Sequence, residues 1–245
     1  MENQICRKWI KFNYSEVEKS AKLYFFERSH IPGVIGCVDG THIKIASPKK
    51  ELQHAYYNRK GFYSINAMIV CDDAMKIRFI NAKHPGSTHD SNVFNMSSLR
   101  TLLEREHQRG QTNTWLLGDA GYPLKPYLMT PFRNTESGSL ESAFNKKHAQ
   151  GRNIIERTIG VLKNRFRCLL TARQLHYSPK KARQITNVCA ALHNICLFHN
   201  TPILEDFIEE PEGDDSANLE NMIENFRNEE DVSIRNQIAL SMFET

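Results

Sequence analysis

The uncharged run Val34-Ile35-Gly36-Cys37-Val38 stops at Asp39-Gly40 and resumes as an alternating stretch from Thr41 to Ala46. A run this short reads as a strand covered on both faces rather than as a buried helix. Such a strand needs sheet neighbours and helices packed above and below, which points to an α/β arrangement. Alternation turns Ile43 and Ile45 inward and Lys44 outward, and Gly40 allows a bulge between the two halves.

The rest of the pattern agrees. Tyr63 to Cys71 and Lys76 to Ala82 read as two strands joined by the turn Asp72-Asp73-Ala74, a β-hairpin. The segment from Ser91 to Glu106 reads as a helix, and Thr114 to Leu117 as a short strand running into Gly118-Asp119. Ser142 to Arg167 and Lys180 to His199 are the strongest helices. Residues 1–30 form an amphipathic lead-in that Ile31-Pro32-Gly33 breaks.

Charge divides the chain. The 32 basic and 28 acidic residues give +4, but residues 201–245 hold 13 acids and two arginines, so residues 1–200 carry +15. A body this basic suits a polyanion, because Lys and Arg displace the counterions around phosphates; a solvated basic surface is the plainer alternative. The acidic segment is expected to be a partly disordered tail with a helix near Glu220–Arg227. It either screens the basic body or only solubilises it. No apolar run approaches the ~20 residues that span a bilayer, and the N-terminus lacks a secretory pattern, so neither membrane insertion nor secretion is expected. The six cysteines are scattered with no C-x2-C pair, which suits reduced, buried thiols.

Asp39 and Asp119 each follow a buried strand, where a short acid emerges at a sheet's end, although either could be only a turn residue. Glu156 lies beside the apolar stripe Ile155, Ile159, Leu162 and Phe166, on a face with Gly160, Lys163 and Arg167. That face is either solvated, or a close-packing surface at Gly160 with a basic row that guides phosphates. Asp90 is either a further acidic ligand or the N-cap of the helix after it. His42 and His89 could orient ligands or touch phosphate, or be ordinary surface histidines. Lys180, Lys181 and Arg183, together with Arg165, Arg167 and Arg173, form either a phosphate-contacting stripe or a solvated helix face. Carboxylates aimed at one point would suit hard divalent cations.

Four blocks in order resemble the Harbinger/PIF-type DDE transposases: Gly33 to Ile43, Pro85 to Ser91, Leu116 to Pro123 and Asn153 to Phe166. The likeness runs from about Trp9 to about Phe198. It implies an RNase H-like mixed five-stranded sheet flanked by helices, with the strands of the first two catalytic aspartates side by side. The catalytic domain would span residues 31–200, between the lead-in (1–30) and the acidic tail (201–245). The resemblance assigns catalysis to Asp39, Asp119 and Glu156, and metal binding to these three with Asp90. The metal would be Mg²⁺ or Mn²⁺, expected as a pair, with Asp39 bridging. His89, Lys163 and Arg167 are candidate DNA contacts. The expected function is a DNA endonuclease of transposase origin acting in the nucleus, with the cytoplasm as a second location. A silent DNA-binding or scaffold descendant is the alternative. Related transposases carry a helical DNA-binding-like region before the core, so residues 1–30 imply a truncated chain or lost autonomous targeting. A Myb-like partner protein and a homodimer are expected on the same ground.

Overall fold

The computed structural model describes residues 2–203 and 229–242. The helix expected near Glu220–Arg227 lies outside them.

Five strands form one mixed sheet in the order β3-β2-β1-β4-β5. These are β1 (Val34–Lys44), β2 (Ser64–Cys71), β3 (Ile77–Pro85), β4 (Trp115–Leu117) and β5 (Leu128–Met129). The hairpin of β2 and β3 continues the sheet antiparallel to β1, whereas β4 and β5 run parallel. The arrangement is mixed α/β and RNase H-like. All eight residues of β2 are buried, as a central strand covered on both faces requires.

β1 corrects one expectation. It does not stop at Asp39-Gly40: pairing with β2 is unbroken from Cys37↔Cys71 to Lys44↔Ser64. The expected bulge at Gly40 is absent from that ladder. Pairing with β4 ends at Cys37↔Leu117, so Asp39 sits mid-strand towards β2 and just past the last pair towards β4.

The helices are α1 (Glu2–Trp9), α2 (Tyr14–Ser29), α3 (Gln53–Tyr56), α4 (Asp90–Asn95), α5 (Ser98–Gln108), α6 (Leu140–Arg165) and α7 (Pro179–Phe198), with a further helix at Glu229–Ser241. α2 and α6 pack on β1 and on each other, and α7 packs on β3 and α1. Ala21 and Phe25 of α2 are fully buried in the common core, so the lead-in is built into the body. The single helix expected from Ser91 to Glu106 is two, divided where Ser97 caps α5 by accepting from Arg100 N. On α6 close packing is seen at Gly151. A Cβ at Gly151 would stand 2.8 Å from Leu117 Cδ1 and 3.3 Å from Ser29 Cβ.

Glu229–Ser241, expected within the acidic tail, is a helix packed on α6. Arg235 is buried over the Phe132 ring at 3.9 Å and donates to Pro131 O at 3.0 Å. The six cysteines are free; Cys37, Cys71 and Cys189 are buried, but Cys168 is exposed. Among the described residues no helix is long and apolar enough to cross a membrane.

Candidate active site

Strand register brings the first two acids together. Cys37 and Leu117 pair across β1 and β4, and Asp39 and Asp119 each lie two residues further along parallel neighbours. Neighbouring strands run about 4.8 Å apart. Each carboxylate takes a local amide: Asp39 Oδ1 accepts from Gly40 N at 2.8 Å, and Asp119 Oδ1 from Gly121 N at 2.9 Å.

Successive residues of β1 point to opposite faces. Cys37 and Asp39 face α6, where Cys37 Sγ donates to Gly151 O at 3.5 Å and Arg152 Nη2 lies 3.1 Å from Asp39 Oδ2. Gly40 points the other way, against Asp90. A Cβ there would fall 2.5 Å from Asp90 Oδ1, so only glycine leaves room for that carboxylate against the strand. Asp90 is not the cap of α4; His89 holds that position. The Asp90 carboxylate instead accepts from Asn66 Nδ2 at 2.7 Å.

The electrostatics describe one neighbourhood. Burial raises the Asp39 carboxyl to about 8; Arg152 opposes that rise, while Asp119 and Asp90 add to it. Burial disfavours the charged Arg152, yet its acidic neighbours, Asp39 foremost and then Asp119, lift its pKa above the ordinary value. Tyr122, fully buried and edge-on to Phe94, is pushed well above its usual range by burial and then by Asp90, Asp119 and Asp39. Its hydroxyl has no hydrogen-bond partner among the described residues.

Glu156 is exposed on α6, one turn after Arg152. Of the residues expected to meet DNA, His89 is partly exposed and takes a hydrogen bond from the Arg59 guanidinium, at 3.1 Å to Nε2. Lys163 is 5% exposed, because its part of α6 faces the body, and so offers no surface contact. Arg167 is exposed but begins the turn after α6. The nine residues from Glu156 to Arg165 already span ~13 Å of helix. His42 bonds Ser64 Oγ at 3.0 Å instead of pointing into the acids.

The family described as DDE superfamily endonuclease matches residues 38–194, which include all four acids. The chain belongs to the DDE superfamily endonucleases. It is 36% identical over 203 residues to the rat protein named "Putative nuclease HARBI1", covering 80% of this chain and 57% of that protein. The human protein of the same name is 36% identical over 197 residues, covering 80% and 55%. An Arabidopsis thaliana "Protein ALP1-like" is 27% identical over 198 residues, covering 76% and 48%. The chain thus spans about half the length of these curated relatives. No solved structure matches it.

DDE superfamily endonucleases generally use divalent metals, and the donors here suit one. Four carboxylates supply hard oxygen ligands, and the raised Asp39 is an acid that gains from a nearby cation. The fit is one of donor type and charge. Among the described residues no three His, Cys, Asp or Glu side chains stand together as a ready cage. Arg152 is the main addition to the sequence reading. Its spacing of four from Glu156 was the available signal, but an i, i+4 acid–base pair ordinarily reads as a surface feature.

Proposed function

We propose that this DDE superfamily endonuclease domain cuts DNA by divalent-metal-dependent phosphodiester hydrolysis. The observation that carries this reading is the register placing Asp39 and Asp119 side by side beyond the last β1–β4 pair, with Asp90 against Gly40. Asp39, Asp119 and Glu156 would hold the metal, with Asp90 as a fourth acid. Bound divalent cations supply charge stabilisation to the attacking and leaving oxygens of an in-line displacement.

The chain's own groups prepare that chemistry. Gly40 N and Gly121 N each donate to one oxygen of an aspartate and so orient the two carboxylates. Asn66 holds Asp90 in place. Arg152 neutralises Asp39 Oδ2 in the form seen here and would have to give way to a cation. In the reaction, water or a DNA 3′-hydroxyl attacks phosphorus, its proton passes to a base or to solvent, and the opposite P–O bond breaks.

The Arg152 contact on Asp39 supports a second reading, a silent DNA-binding or scaffold descendant. A plasmid-nicking assay with Mg²⁺ or Mn²⁺ separates the two. The nuclease reading expects wild-type nicking and its loss in Asp119→Ala with unchanged thermal melting. Equal nicking by both proteins refutes the assignment of Asp119, and no nicking by either favours the silent descendant.

We further propose nuclear action on DNA, site recognition supplied by a Myb-like partner, and a homodimer as the working form. Tight binding of the purified chain alone to one defined DNA site at physiological salt would remove the need for the partner. A monomer by light scattering, with and without DNA, would remove the dimer.

A further inference from the structure

The end of the sheet nearest the acids carries a feature that metal binding does not explain. From Lys44 to Tyr63 the chain holds five basic residues and one acid, with the aromatics Tyr56, Tyr57, Phe62 and Tyr63 among them. Lys49, Lys50, Arg59 and Lys60 are exposed, and Tyr57 is 51% exposed. Lys44 Nζ lies 5.5 Å above the Phe62 ring, and Tyr57 meets Tyr63 edge-on at 5.3 Å. Exposed cations interleaved with accessible rings suit phosphates and base faces together.

The segment is built as a rigid turn. Asn58, 3% exposed, accepts from Lys60 N at 3.0 Å and Phe62 N at 3.2 Å, and donates to Ser64 Oγ at 2.9 Å. The turn is also fastened to the site. Ser87 donates to Ala55 O through its amide and its hydroxyl, Gly86 N donates to Ser64 O, and the Arg59 guanidinium donates to His89, the residue before Asp90. The four residues from Gly40 to Lys44 span about 13 Å of strand, or about four base steps of duplex.

We infer that the Tyr57–Tyr63 turn, with Lys49 and Lys50 beside it, is the DNA-backbone cradle of this domain, gripping the strand about four nucleotides from the acids. Arg59 and Lys60 take phosphates, and Tyr57 offers a stacking face where the duplex opens. The inference rests on the endonuclease reading for its choice of DNA, but it concerns binding and not cutting.

The test is fluorescence anisotropy of a short labelled duplex with the full chain in EDTA, between about 50 and 200 mM salt. Arg59→Ala/Lys60→Ala is expected to weaken binding about tenfold or more and to make the log–log salt slope shallower by about 2, one unit per lost phosphate contact. Tyr57→Ala should weaken binding to a single strand about fivefold or more without changing the slope. Arg7→Ala/Lys8→Ala, on α1 near the opposite end of the sheet, should bind as wild type. Should the double variant melt early, Lys60→Ala alone keeps the Arg59–His89 contact and should lower the slope by about 1.

Unchanged affinity and slope in the Arg59/Lys60 variant overturn the cradle, as does an equal loss in the α1 control. Nicking by a wild-type chain whose DNA binding ignores the turn defeats this inference alone. Turn-dependent binding without nicking in Mg²⁺ or Mn²⁺ defeats only the nuclease reading.

Discussion

At the scale of single residues, the site depends on what is missing from Gly40. All three terminal atoms of the Asp90 side chain lie within 2.8 Å of where a Cβ would stand, and Asn66 donates to that carboxylate at 2.7 Å. Gly40→Ala must therefore displace an acid, not bend a flexible tip. Overpacking of this kind costs about 1–3 kcal/mol. Urea denaturation should show that loss, and Mg²⁺-dependent nicking should fall with it; an alanine variant as stable and active as wild type would mean that Asp90 does not need the strand. The sequence displayed this glycine but not its purpose. An Asp-Gly pair reads first as a turn or bulge, and only a partner about fifty positions away shows it to be a seat for a second carboxylate.

At the scale of elements, long apolar runs were legible and short or doubly constrained features were not. β1, β2 and β3 followed from alternation and burial, and α6 and α7 from their apolar stripes. β5, two residues long, has no period to detect. The break between α4 and α5 was visible in principle as a serine cap at Ser97, but a continuous helical pattern concealed it. The close approach of Gly151 on α6 to Leu117 is a contact that spacing alone does not encode. α6 and α7 also bury two histidines. His148 is held down to about 3 by burial and by Arg152, with Nε2 on Met129 O. His193 is held down to about 4 by burial and by Arg165, with Nε2 on Met75 O. Both stay neutral when folded and charge when unfolded, so their contribution is full above about pH 6.5 and falls as pH drops towards 4. At pH 5 the loss is on the order of 2 kcal/mol each. Asp39, raised to about 8, acts in the opposite sense, because acidification relieves its ionisation penalty. Comparing wild type with His148→Gln and His193→Gln by denaturation at pH 7 and pH 5 cancels the Asp39 contribution. Each variant should lose less stability than wild type on acidification, and equal losses would contradict the assignment.

At the scale of the whole molecule, the ends of the described chain are part of the body. α2 gives Ala21 and Phe25 to the core, and the Glu229–Ser241 helix buries Ile238, Ala239 and Arg235. Acidic composition favoured a solvated tail because charge is counted over a window, whereas docking turns on a few side chains. Arg235→Ala removes hydrogen bonds to Thr130 O and Pro131 O and the stack on Phe132. A cost of about 1–3 kcal/mol follows. Hydrogen exchange should show residues 229–242 losing protection while β1 and β2 keep theirs, and unchanged protection would mean that the helix is held by its apolar face alone.

The central claim is that β1 and β4 deliver Asp39 and Asp119 to one cation. Manganese soaked into crystals and located by anomalous scattering tests it most directly. The account predicts a peak between those two carboxylates, with Arg152 moved off Asp39. Manganese found only elsewhere, with the Arg152–Asp39 pair intact, would contradict it.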